Sequence, residues 1–233
     1  MKAADKTMVG EVFDRAAPHY DRMNDVLSAG AHRYWKRLAA RMLAVRRGMR
    51  VLDMAGGSGD MAKLFVDDAG AGGAVVLADI NRAMLQIGRR RCGGEVAFCH
   101  CDAEKLPFAD GAFDRAAMAF GLRNIHNRAA ALAEMHRVLA VGGKMLLLEF
   151  SPPPITGGIV ASAQRFYLRR VLPFAGRALF GDAESYRYLG DSIMAFLPPP
   201  VLAKMVRAAG FDRPKMLPLA AGAVQITTAW KLK

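Results

Sequence analysis

The sequence predicts an α/β fold: a doubly wound, mostly parallel sheet that ends in an antiparallel hairpin. Three observations carry this expectation. Short apolar runs alternate with helical stretches through the middle of the 233 residues. A Gly-rich turn, Gly56-Gly-Ser-Gly59, follows the first of those runs. The last two extended segments are separated by little more than Ala-Ala-Gly.

From Val9 to Val45 the pattern is helical. Tyr20, Met23, Asn24 and Leu27 fall at i, i+3, i+4 and i+7, and Trp35, Leu38, Met42 and Val45 form a second stripe. Residues 1–48 therefore read as an N-terminal helical lid on one domain spanning residues 1–233. Strands are expected at Arg50–Met54, Ala74–Ile80, Val96–Cys101, Phe113–Phe120 and Lys144–Phe150, with helices near Asp60–Asp68, Arg82–Arg91 and Arg128–Leu139. Gly142-Gly143 reads as a helix end followed by a tight turn into the fifth strand. Beyond Pro152-Pro-Pro154, the apolar stretch Ile159–Leu179 carries Arg165, Arg169, Arg170 and Arg177. Pro198-Pro-Pro200 opens a helix ending at Ala209-Gly210, and Lys215–Leu219 with Val224–Leu232 forms the hairpin.

Composition narrows the function classes. Hydrophobic residues make up 53%, enough for a full core. Three cysteines, Cys92, Cys99 and Cys101, cannot all pair, which favours a reducing cytoplasmic compartment. The Cys99-His-Cys101 spacing matches no common zinc pattern, so no metal is expected. The N-terminus lacks an apolar signal region, and no run approaches the ~18 apolar residues of a membrane span. Net charge is +12, from 33 basic and 21 acidic residues. Such an excess suits nucleic acid, an acidic substrate or an anionic membrane face, and equally a solvated surface.

The segment Val51–Asp60 runs from a strand through the Gly-rich turn into a helix. Gly56, Gly57 and Gly59 let a ligand approach the backbone, and the helix start offers free N–H groups. Asp79, twenty residues beyond Gly59, ends the next strand where a carboxylate takes ribose hydroxyls. These features alone leave two ligands open, because Gly57-Ser-Gly59-Asp-Met-Ala62 also satisfies a dinucleotide pattern. Asp53 separates them: its charge suits the sulfonium and amino group of S-adenosylmethionine and repels a pyrophosphate. Asp102, with Ala103 beside it, ends the third strand where an adenine amino group would lie.

Four stretches are similar to the ubiquinone/menaquinone biosynthesis C-methyltransferase family, whose members have a class I methyltransferase (Rossmann-like) fold. They are Tyr20-Asp-Arg-Met-Asn24-Asp-Val-Leu-Ser28 with His32 and Trp35, Phe120-Gly-Leu-Arg-Asn124, Arg137–Ser151, and Ser185-Tyr-Arg-Tyr-Leu189. The resemblance implies donor contacts from Ser58 in the turn, Asp79 at the ribose, and Asp102 with Ala103 at the adenine. It also implies a polyprenyl quinol acceptor, demethylmenaquinol and/or 2-methoxy-6-polyprenyl-1,4-benzoquinol, methylated on its ring. Two departures stand out: Ala140-Val141 where the family usually has a basic residue and proline, and Ala119 where a serine is common.

Ring-carbon methylation needs a quinol that has lost a hydroxyl proton, and phenols ionise only near pH 10. Arg123 can stabilise the oxyanion and Asn124 can orient the hydroxyl or a water, so both are expected to be catalytic. Arginine stays protonated and is a poor base. A polarised water or His126 is chemically easier, although His126 also suits a helix cap. Tyr20 and His32, with Arg123, are expected around the acceptor, the first two from a lid whose helical spacing equally allows a packing role. Glu149 reads as either structural or close to the acceptor. Arg165–Phe180 suits a lipid-facing surface or a core helix with solvated arginines; the first implies peripheral attachment at the inner face of the cell membrane. A contact with a quinone-biosynthesis complex and a homodimer are further expected partners, whereas specific nucleic-acid binding is not expected, since no groove-reading or base-stacking element is present. A methyltransferase of the same fold acting at oxygen or nitrogen of another small molecule is the first rival reading, and a basic nucleic-acid-binding module, suggested by the +12 charge, is the second.

Overall fold

The expected strands assemble into one seven-stranded sheet in the computed structural model, which describes residues 6–16, 23–25, 28–154 and 158–233. In chain order these are β1 (Arg50–Met54), β2 (Ala74–Asp79), β3 (Ala97–His100), β4 (Phe113–Ala119), β5 (Leu139–Phe150), β6 (Asp212–Leu219) and β7 (Val224–Trp230). Their spatial order is β3-β2-β1-β4-β5-β7-β6. Strands β1 to β5 pair in parallel, and β7 is antiparallel to both β5 and β6. The chain winds outward from β1 to β3, then crosses to β4 and winds the other way. The carboxyl ends of β1 and β4 thus meet at the point of reversal, where such sheets open a crevice.

Helices cover both faces because strand residues alternate between them. Val51, Val75, Leu77 and Ile226 pack with Leu43 of α2 (Ala31–Leu43), Phe65 of α3 (Asp60–Ala69) and Leu85 of α4 (Arg82–Cys92). Leu52, Met54, Met118 and Leu147 face the opposite layer, with Leu132 and Met135 of α5 (Arg128–Val138) and Val206 of α9 (Pro199–Ala208). Phe65 is fully buried, so truncation to alanine costs about 3–5 kcal/mol. Edge strand β6 carries Pro214 and Pro218, which blunt further pairing.

Between β5 and the hairpin, α6 (Gly158–Phe166), a π-helical turn (Tyr167–Val171) and α7 (Leu172–Phe180) form one continuous helical run. It folds back on α8 (Ala183–Met194) around a small separate core of Leu168, Leu172, Tyr186 and Ile193. Gly176 permits this crossing: a Cβ there would lie 2.3 Å from the Tyr186 ring. The N-terminal helix α1 (Lys6–Ala16) is tied on by Arg15 to Glu184 of α8 (3.1 Å) and by Asn81, whose Nδ2 donates to Asp14 Oδ1 (2.8 Å).

One sequence expectation is corrected here. Gly142-Gly143 does not end a helix: α5 stops at Val138, and Leu139 already pairs with Phe113. The two glycines instead occupy a bulge inside β5, bonded to Lys231 through both backbone directions. A glycine pair marks a sharp bend, and the same composition serves a helix end or a bulge.

Candidate active site

The turn after β1 is shaped by its own carboxylates. Asp53 is completely buried; its Oδ2 accepts the Ala62 N–H (2.9 Å) in the first turn of α3. Asp79 closes the turn from the neighbouring strand, accepting Gly57 N–H (2.9 Å) and Asn81 N–H (2.8 Å). The Asn81 side chain in turn caps α4 at Met84 N (2.8 Å). Gly56 is required here, since a Cβ would sit 2.7 Å from both Asp53 Oδ2 and Leu77 Cγ.

These strand ends surround a cavity of about 620 Å³. Asp53, Gly56, Gly57, Ser58, Asp79, Asp102 and Ala103 all line it. Gly59 does not: it is buried at the start of α3 (φ +86°), where a Cβ would meet Cys92 Sγ at 2.7 Å. Its role in the structure is to seat α3 against α4. Val9, Gly10 and Asp14 of α1 close the cavity from above.

The cavity fits the donor in charge. Asp53 Oδ1 is buried without a hydrogen-bond partner among the described residues. Burial pushes its carboxyl up to about 7, against the Ala62 N–H and the more distant Lys36. A cationic amino group beside it would supply the missing partner and restore the ionised form. Burial also raises Asp79, opposed by the backbone donors of Asn81 and Gly57.

A second cavity of about 190 Å³ adjoins the first, and Lys36 and Phe120 line both. Its walls come from α2, the π-helical turn, α8 and the ends of β5 and β7. His32 and Arg123 line it as expected, whereas Asn124 faces the larger cavity. Tyr20 lies outside the described residues. Arg123 is 7% exposed, and its Nη1 meets Glu149 Oε1 at 2.9 Å and the Phe120 carbonyl. Glu149 Oε2 also accepts the Arg123 backbone N–H (3.2 Å), so this glutamate is the group that positions Arg123. The guanidinium lies over the Phe150 ring (5.4 Å), and its Nε is buried with no partner among the described residues. The Tyr188 hydroxyl donates to Asn124 Oδ1 (3.0 Å), which leaves the amide's NH2 directed away from Tyr188.

Two of the seven positive-φ non-glycine residues among the described residues line the larger cavity. Phe120, which lines both cavities, adopts φ +56°, and Ala55 in the facing turn adopts φ +54°. Non-glycine residues held in this region cost of order 1–3 kcal/mol each and gather at functional sites. Sequence reasoning missed Lys36 and Tyr188. Lys36, 8% exposed, reaches Asp60 Oδ2 (2.6 Å), and Arg91 reaches Asp60 Oδ1 (2.8 Å). Burial alone would raise the Asp60 carboxyl, but Lys36 and Arg91 hold it below its ordinary value. His126 is exposed on the rim of the larger cavity, and Asn127, not His126, caps α5. Cys101 lines the same cavity with its thiol pushed up to about 12 by burial and by Cys99. Among the described residues no group of three His, Cys, Asp or Glu side chains is placed to hold a metal.

The strand order and the carboxylate-lined crevice define a class I S-adenosylmethionine-dependent methyltransferase. The chain matches the model of the ubiE/COQ5 methyltransferase family over residues 1–231 and belongs to that family; it is an S-adenosylmethionine-dependent C-methyltransferase. It is 49% identical to the ubiquinone/menaquinone biosynthesis C-methyltransferase UbiE of Pseudomonas putida over 88% of this chain and 81% of that one. Against the protein of the same name from Bordetella avium, identity is 49% over 92% of this chain and 84% of that one. An S-adenosylmethionine-dependent methyltransferase of Thermotoga maritima superposes with a TM-score of 0.66, covering 96% of this chain and 99% of that one. At 19% identity it reports the fold alone.

Proposed function

We propose that the chain methylates a ring carbon of a polyprenyl quinol, demethylmenaquinol or 2-methoxy-6-polyprenyl-1,4-benzoquinol. The observation that carries this reading is the second cavity, which abuts the carboxylate-lined one at Lys36 and Phe120. It is walled largely by apolar and aromatic side chains and is lined by the guanidinium of Arg123, held by Glu149. That combination suits a flat, apolar ring bearing an oxygen that becomes an anion. The relatives' names, which specify ubiquinone and menaquinone synthesis, support the same class.

The donor supplies an electrophilic methyl group when bound. On this reading the chain does the rest by positioning and charge. Asp53 meets the donor's amino group, Asp79 its ribose, and Asp102 with Ala103 its adenine, while Ser58 lies along it. Arg123, held by Glu149 in the wall of the second cavity, brings its positive charge to the quinol oxygen and stabilises the anion as it forms. Asn124, turned by Tyr188, orients the hydroxyl from the larger cavity. Residues 1–48 act as a lid, with α1 over the donor and α2 over the acceptor.

The membrane supplies such an acceptor, and the surface beside the second cavity suits an interface. No described helix is long and apolar enough to cross a membrane. Along the α6–α7 run, however, Ile159 (89% exposed), Phe166 (63%) and Phe174 (72%) stand outward together with exposed Arg169, Arg170 and Arg177. Apolar anchors among arginines favour peripheral binding to anionic lipid from the cytoplasmic side. Quinone profiling by mass spectrometry in cells lacking the protein tests the assignment. A quinone short of one ring methyl should accumulate, and an unchanged profile would reject the reading.

A further inference from the structure

We propose that His32 is the proton acceptor of the second cavity, with Ser28 fixing its tautomer and Asp25 stabilising its charged form. This rests on the reading that the cavity holds the quinol headgroup. His32 is buried in the first turn of α2 and lines the cavity together with Ser28 and Asn24. The Ser28 hydroxyl donates to the Asn24 carbonyl (2.7 Å), which commits its single hydrogen. The same oxygen accepts the His32 backbone N–H (3.2 Å) and lies 2.9 Å from His32 Nδ1. Having no second hydrogen, it accepts from Nδ1. Nδ1 therefore carries the ring hydrogen, and Nε2 presents a lone pair.

Nε2 lies 3.7 Å from Asp25 Oδ1, beyond a direct hydrogen bond but within range of a strong Coulomb interaction once the ring is charged. Arg33 holds that carboxylate through Nε to Oδ1 (2.7 Å) and Nη2 to Oδ2 (2.5 Å). The Arg33 hydrogen bonds keep Asp25 below the ordinary carboxylate range. Lys36 on α2 and Asp60 on α3 also face the imidazole, and Arg123 and Tyr188 line the cavity with it. Burial, then Lys36, lowers the pKa of His32 against the opposing pull of Asp25, Asp60 and the Asn24 carbonyl, which favours the neutral ring. Here the hydroxyl, not a carboxylate, orients the ring from Nδ1, and the carboxylate stands on the side of the basic nitrogen, where it stabilises the imidazolium once Nε2 is protonated.

The step balances as follows. A quinol O–H bond breaks and its proton bonds to Nε2. The electron pair stays on oxygen beside Arg123 and is shared into a ring carbon, which bonds the methyl as the S–CH3 bond breaks and S-adenosylhomocysteine leaves with that electron pair on sulfur. That carbon's own hydrogen then leaves as a proton to water. The ring oxygen recovers its hydrogen from Nε2, and one proton is released overall.

The test uses the full chain, a short-chain demethylmenaquinol kept reduced, and S-adenosylmethionine, with product identified by mass spectrometry across pH. Wild type should give the ring-methylated product, with kcat falling on the acid side as Nε2 is protonated. His32→Asn keeps a donor toward Ser28 but lacks Nε2. It should lower kcat by about 10² or more, with KM for quinol and the Kd for S-adenosylhomocysteine within about threefold of wild type. Its acid limb should vanish. Asp25→Asn, which leaves the imidazole in place, should move the acid limb to lower pH and decides the matter if His32→Asn does not fold. A His32→Asn enzyme with kcat near wild type, or an acid limb that Asp25→Asn leaves in place, would overturn the inference alone. Absence of any methylated quinol from wild type would overturn the acceptor reading and this inference with it.

Discussion

Asp53 shows how one side chain is held at a cost to the fold. Its pKa in the folded chain, about 7, lies above the ordinary 3.8. The folded state therefore binds more protons than the unfolded one between those values, and this group's contribution to stability falls as pH rises from about 4 to about 7. Asp53→Asn should stabilise the ligand-free protein at pH 8 by on the order of a few kcal/mol, read as a higher melting temperature, while weakening donor binding. The sign reverses for the ligand, because a donor amino group needs the carboxylate ionised. Titration calorimetry with S-adenosylhomocysteine should find affinity decreasing below pH 7, by up to about tenfold per unit, and Asp53→Asn should flatten that slope. Arg123 gives the complementary prediction. Arg123→Ala should lower kcat by about 10²-fold or more and spare the Kd for S-adenosylhomocysteine. Glu149→Gln should show a smaller fall of the same kind, since it loosens the guanidinium without removing it. Asp79→Ala should do the reverse of Arg123→Ala, raising that Kd with less effect on the chemical step.

At the scale of elements, the legible parts were those written in local periodicity. Alternating apolar runs located β1 to β5, and the Gly-rich turn located the crevice, because each of these signals is written in one short contiguous stretch of sequence. The acceptor side is assembled from distant pieces: Arg123 with Glu149, Asn124 with Tyr188, Lys36 with Asp60. Lys36 sits between Arg33, Arg37 and Arg41, where it reads as one more solvated cation on a basic helix. Only the packing of α2 against the start of α3 turns it inward. Gly59 meets the opposite difficulty, since in sequence a glycine needed for helix packing looks the same as one needed for ligand approach. The α6–α7 run carries its own prediction. Phe166→Asp with Phe174→Asp should reduce flotation with anionic vesicles at low salt several-fold, as about 0.8 kcal/mol accompanies each buried CH2, and leave the Kd for S-adenosylhomocysteine unchanged. Equal flotation of this double variant and wild type would remove the lipid role from the run.

For the molecule as a whole, the donor site ties together β1, β2, β3, the turn after β4 and α1, so occupying it should stabilise the fold globally. At a hundred times its Kd, S-adenosylhomocysteine should add about 2.7 kcal/mol and raise the melting temperature by roughly 5–10 °C for a chain of this size. NAD at equal concentration should add nothing. With a basic excess of +12, the proposed vesicle association should weaken as salt rises, and sedimentation with anionic vesicles at two ionic strengths measures that directly. The placement of β7 between β5 and β6 has a consequence for biogenesis. During synthesis β6 leaves the ribosome before β7, the strand that must lie between it and β5. Until Val224–Trp230 is available, β5 presents an open edge and the apolar neighbours of Ile226 stand uncovered. A nascent chain stalled short of that strand is therefore the form most exposed to edge-to-edge association, and the form a chaperone would have most reason to hold.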